Sequence, residues 1–105
     1  MAVIEVTNAE QFDELLRANA KAAVMFTATW SGPGKLMSPV FTHLSGEYQD
    51  IVFASVDVDQ VSPVAQKYSI RAMPTFVFFR DATKSDDMTG ANKPELEDRV
   101  KKLAG

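Results

Sequence analysis

The apolar positions of the chain change period several times, and each change marks an element. The opening "AVIEV" predicts a short strand. "TNAE" follows as a capping box, in which Thr7 accepts from the Glu10 backbone N–H and Glu10 reaches back to Thr7. Phe12, Leu15 and Leu16 then recur at helical spacing, so a helix with one apolar face is expected from Thr7 to about Asn19. "KAAVMFTA" is almost continuously apolar, the pattern of a strand buried on both faces. Pro33 suits the first turn of a second helix. In that helix Leu36, Val40, Leu44 and Tyr48 form the expected inner stripe, with Phe41 beside it and Pro39 as a kink.

"DIVFASVDVD" predicts another buried strand, and Asp59 is placed to cap a short helix carrying Val61, Val64, Ala65 and Tyr68. "AMPTFVFFR" reads as a strand entered through Pro74, "DATKSDD" as a hairpin turn, and the residues around Met88 as a weak strand. Asn92 caps the last helix, with Glu95 three residues on and Leu96, Val100 and Leu103 on its inner face. Lys101 and Lys102 fall in its last turn, where they complement the helix dipole. The order β-α-β-α-β-α-β-β-α implies an α/β fold: a central mixed sheet of about five strands with four helices shared between its faces. There is no repeat, linker or low-complexity tract, so residues 1–105 are expected to form a single domain.

Composition narrows the function. The chain has 105 residues, 46 % of them hydrophobic, enough for a real core. A net charge of −3 and the lack of a basic patch argue against nucleic acid as a partner. No apolar run approaches the roughly 20 residues of a membrane span. The N-terminal "MAVIEVTNAE" has no basic segment leading into an apolar stretch, so no secretory signal is expected and the default location is cytoplasmic. There is no cysteine, which removes disulfides, thiolate metal sites and thiol catalysis. No cofactor is implied, and a monomer is the default.

Four segments, in order, carry a family likeness: "FTATWSGPGK", "VDVD", "MPTFVFF" and "TGANK". With them the chain resembles the thioredoxin family across nearly its whole length, and is most similar to its eukaryotic cytosolic members. The resemblance implies the thioredoxin fold, with Pro74 in cis. It also implies an ancestral activity: reduction of protein disulfides by a first cysteine that attacks and a second that resolves the mixed disulfide. Ser31 stands at the attacking position and Gly34 at the resolving one. A serine hydroxyl is not a thiolate and glycine has no side chain, so thiol–disulfide exchange is not expected. Met25 stands where the family usually keeps a buried aspartate that moves a proton for the second cysteine. An ionised buried carboxylate carries a desolvation penalty of several kcal/mol, so an apolar replacement there should stabilise the core. Ala82 replaces a usual turn glycine and Ser85 a usual apolar strand residue, which predicts a looser or longer final hairpin.

The same resemblance implies a shallow groove formed by Trp30, Gly32, Pro33, Met73, Pro74, Gly90 and Ala91. An extended segment of a partner protein would pair there with the main chain of Met73, by β-augmentation. Other chemistry is poorly supported. A serine nucleophile needs a base within about 2.6–3.2 Å, and the only histidine, His43, follows Pro33 by ten residues, about 15 Å along a helix. Ser31 is better read as a cap or turn residue and His43 as a surface residue. Asp57 and Asp59 are read as capping groups rather than a metal pair, and Asp86 and Asp87 as solvated turn residues. Three functions stay open: a redox-inactive binding protein, an active-site variant of a disulfide reductase whose parent has cysteine at 31 and 34, and a structural subunit.

Overall fold

In the computed structural model, residues 3–105 are described; Ala2, expected in the first strand, lies outside them. The elements run β1 (Ile4–Val6), α1 (Ala9–Ala18), β2 (Lys21–Thr27), α2 (Gly32–Glu47), β3 (Val52–Asp57), α3 (Ser62–Lys67), β4 (Thr75–Arg80), β5 (Thr83–Thr89) and α4 (Lys93–Ala104). They build one five-stranded sheet in the order β1-β3-β2-β4-β5. The β1–β3 and β3–β2 pairs are parallel, and the β2–β4 and β4–β5 pairs are antiparallel.

The central strands alternate between two cores. Ala22, Val24 and Phe26 of β2 and Val77 and Phe79 of β4 pack with α1 and α3, around Phe12, Leu16 and Val64. Ala23 and Met25, with Phe76 and Phe78, face α2 and α4, around Met37, Phe41, Leu96 and Val100. Because both faces are covered, every side chain from Ala22 to Phe26 is buried, which is why the strand shows no polar alternation. Edge-on aromatic pairs tie the layers together. Phe12 and Phe79 lie 5.9 Å apart on one face, and Phe41 and Phe53 5.1 Å apart on the other.

Several local expectations shift. The first cap moves one residue on: Asn8 accepts from the Gln11 N–H at 2.8 Å, and Gln11 reaches back to the Thr7 N–H at 2.7 Å. The cap is therefore Asn8, with Gln11 reaching back to the residue before it, and not a box of Thr7 with Glu10. In α2 the inner line runs Gly34, Met37, Phe41, Leu44. Leu36 is 69 % exposed, and Val40 and Tyr48 are only half-buried, because the buried line of the helix runs beside them rather than through them. α3 begins at Ser62 without a side-chain cap, so Asp59 does not cap it.

The final hairpin is tight, not loose. Arg80 pairs with Thr83, leaving only Asp81 and Ala82 in the turn, at φ 51° and 65°. Both central residues of a type I′ turn need positive φ. The residues from Thr83 onward are strand, so "TKSDD" belongs to β5 rather than to a turn. The register slips between Phe78 and Phe79, which leaves Ser85 as the extra residue of a bulge. The Ser85 hydroxyl donates to the Phe78 carbonyl at 3.2 Å. Asp86 is likewise not a free turn residue: it accepts from Arg99 of α4 at 2.7 Å, and Arg99 also holds Glu95 at 3.0 Å. Asp87 pairs with Lys84.

Candidate functional site

The strand registers bring the expected site residues to one end of the sheet. Thr27 closes β2 opposite Asp57 of β3, Phe26 lies opposite Thr75 of β4, and Thr75 lies opposite Thr89 of β5. The loops that leave these strand ends therefore stand side by side. In order across the sheet they are Val58–Asp59 after β3, Ala28–Ser31 after β2, Ala72–Pro74 before β4, and Gly90–Ala91 after β5.

The loop after β2 is shaped by main-chain bonds. The Ser31 N–H donates to the Ala28 carbonyl at 3.0 Å and closes a turn. Ser31 is buried, and its hydroxyl accepts from the Gly34 N–H at 3.0 Å, capping α2. Pro33 occupies the first helical turn, where no N–H is needed. Ser31 thus fulfils the capping role expected of it. His43 lies on the exposed side of α2 beside Glu47, at 3.3 Å, and takes no part in the site.

Trp30 is 66 % exposed, yet it is held in place, since its indole Nε1 donates to Asp59 Oδ2 at 2.9 Å. The sequence missed this role of Asp59; nothing local couples residues 29 positions apart. Asp57 accepts from the N–H groups of Asp59 and Gln60, at 2.8 and 3.2 Å, and so shapes the loop that presents Asp59. The polar end of the indole is satisfied and its apolar ring faces outward.

Across the sheet end, the Met73–Pro74 peptide is cis. Pro74 is buried, Met73 half-buried and Ala91 exposed. The Pro74 carbonyl accepts from the Gly90 N–H at 2.9 Å, and the Thr75 hydroxyl donates to the Ala72 carbonyl at 2.7 Å. Gly90 sits at φ +108°, a conformation open to glycine but strained for other residues. Between these fixed groups, the N–H and C=O of Met73 have no backbone partner among the described residues.

Beneath the loop, Met25 is 3 % exposed and lies between Ser55 of β3 and Phe76 of β4. It lines the floor of an open hollow of about 360 Å³, with Thr27, Gly34, Lys35, Ser38 and Ser55 among its walls. A Cβ at position 34 would stand 2.2 Å from Thr27 Oγ1 and 3.0 Å from Ser31 Oγ. The threonine hydroxyl fills the space that a side chain at position 34 needs. No thiol exists in the chain to react there.

The thioredoxin family profile matches residues 3–102. The chain belongs to the thioredoxin family. It is 40 % identical over 103 residues to a thioredoxin of Equus caballus, covering 96 % of this chain and 98 % of that one. It is 42 % identical over 97 residues to Thioredoxin-2 of Pyricularia oryzae, covering 92 % of this chain but only 57 % of that longer protein. Among solved structures, a Plasmodium falciparum thioredoxin superposes with a TM-score of 0.93 at 37 % identity, covering 95 % of this chain and 98 % of that one. The thioredoxin fold expected from the four segments is therefore the fold of this chain, with its five-stranded mixed sheet and four helices. No helix among the described residues is long and apolar enough to cross a membrane.

Proposed function

We propose that this chain is a redox-inactive member of the thioredoxin family that binds extended segments of other proteins. The observation that carries the reading is the pairing of an unpartnered Met73 main chain with a fixed, outward-facing Trp30 at the same sheet end. An extended peptide laid beside Met73 gains main-chain hydrogen bonds, while the Trp30 ring and the exposed surfaces of Gly32, Pro33 and Ala91 take its side chains. Rigid presentation lowers the entropy lost on binding.

Loss of redox chemistry follows from composition, since disulfide exchange needs an attacking thiolate and the chain holds none. The two thiol positions carry different residues, Ser31 and Gly34, and Met25 stands beside them, which supports divergence of the whole site over replacement of cysteines in an otherwise unchanged reductase. We read its location as cytoplasmic, from its likeness to eukaryotic thioredoxins.

The decisive experiment is an insulin-disulfide reduction assay with dithiothreitol as electron donor, run beside peptide binding followed by Trp30 fluorescence. The expected outcome is turnover equal to the protein-free control, with saturable quenching or a spectral shift of the single tryptophan. Turnover above the control sinks the redox-inactive reading. Absence of any Trp30 response sinks the binding reading.

A further inference from the structure

The hollow beneath the tryptophan loop is walled by the ends of β2 and β3 and the first turns of α2. Its residues are graded by depth. Met25, Ala28 and Gly34 are buried and make an apolar floor. Thr27 and Ser55 are half-buried above it, and Thr29, Ser38 and Lys35 are exposed at the mouth. Neither the four hydroxyls nor the Lys35 ammonium has a hydrogen-bond or ion-pair partner among the described residues. Among those residues, one cation and no carboxylate lines the hollow. Asp57 pairs in register with Thr27 but is not part of the walls, and its Oδ1 accepts the N–H groups of Asp59 and Gln60. The volume of about 360 Å³ falls within the range of small-molecule sites, roughly 300–1,000 Å³.

We propose that this hollow binds a small monocarboxylic acid with an apolar body. The body rests on Met25 and Ala28, where it leaves water. The carboxylate stays at the mouth and accepts from the Lys35 ammonium and from the hydroxyls of Thr29 and Ser38. A carboxyl group at position 25, as the family usually keeps, would take the apolar floor away; Met25 supplies it. Because the ammonium is exposed, its charge contributes more to the choice of ligand than to the strength of binding. The site is separate from the proposed peptide groove, since Trp30, Met73 and Pro74 are not among its walls.

NMR of protein isotope-labelled at the methionine methyls tests this, with the Met25 signal assigned through Met25→Leu. Three probes of similar shape are titrated at neutral pH: phenylacetate, phenylacetamide and phenethylamine. Phenylacetate is expected to shift the Met25 methyl saturably in the millimolar range, and the amide to bind about fivefold more weakly. Lys35→Gln is expected to bring phenylacetate down to the affinity of the amide at an unchanged melting temperature, while Lys35→Arg keeps the preference. A Met25 signal that none of the probes moves overturns the site, and so does a response confined to Trp30 fluorescence. Equal affinity for acid and amide, tighter binding of the amine, or a preference that survives Lys35→Gln overturns the carboxylate assignment.

Discussion

Position 34 is where the loop of this protein departs furthest from a reacting one. Glycine there is not merely the absence of a side chain, because Thr27 Oγ1 occupies the place where a Cβ would go, 2.2 Å away. Gly34→Ala must therefore push Thr27 out of its rotamer or lift the first turn of α2, where Ser31 holds the Gly34 N–H. Overpacking of this kind costs about 1–3 kcal/mol. A urea-denaturation cycle with Thr27→Ala checks the cause: the double variant should recover most of the loss, because the two sites share one contact. Strictly additive losses would show that Thr27 is not the obstacle. The identities of Ser31 and Gly34 were legible as a missing thiol pair. The role of Thr27 was not, since nothing in "FTATW" says that one hydroxyl turns toward the helix seven residues later.

At the scale of elements, the last hairpin shows how backbone geometry overrules side-chain preference. Ala82 was expected to loosen the turn, yet the two strands close through Asp81 and Ala82 alone. The flanking β4 and β5 residues are paired from Arg80–Thr83 onward, and α4 is fastened to β5 through Arg99 and Asp86, so the turn has no freedom to lengthen. Alanine accepts the left-handed region instead, at φ 65°. That conformation costs a non-glycine residue roughly 1–2 kcal/mol. Ala82→Gly should then raise the unfolding free energy by about 0.5–1 kcal/mol, after the extra chain entropy of glycine is subtracted. A higher urea midpoint at unchanged slope is the expected result; a lower midpoint would mean that the alanine methyl contributes packing that outweighs its strain. The helix ends were easier to read. Asn92 with Glu95 caps α4 as expected, because a cap needs only residues three apart, whereas the first cap was placed one residue early because "TNAEQ" offers two adjacent capping residues.

At the scale of the whole molecule, the sheet is a wall between two apolar cores, and Met25 belongs to the one under α2 and α4. Its neighbours across the strands are Ser55 and Phe76, and the one cation lining the hollow beside it, Lys35, is itself exposed to water. Met25→Asp is expected to lower stability by about 2–4 kcal/mol at pH 7. The sign with pH follows from burial. Apolar surroundings raise the carboxyl's pKa in the folded state above the value of about 3.9 it has in the unfolded chain. The folded state then holds its proton to higher pH, so the penalty is small near pH 4 and grows toward pH 7. Guanidinium midpoints of variant and parent, compared at both pH values, check this. A gap that stays constant would mean that the hollow beside Met25 admits enough water to solvate the charge.

The periodicity of the chain determined the class of fold, the number and order of the elements and the faces of α1 and α4, because burial imposes a period of two or 3.6 wherever an element packs on one side. The loop motifs determined which strand ends would matter, and the missing cysteines determined which chemistry is absent. The tertiary structure decided what no local pattern encodes. It set the parallel and antiparallel registers that gather four loops at one end of the sheet, and the bond from Trp30 to Asp59 across 29 residues. It also set the rotation of α2 that turns Leu36 to solvent, and left the Met73 main chain open in the loop before β4. Those features depend on distances between segments, and such distances exist only once the sheet has closed on both of its cores.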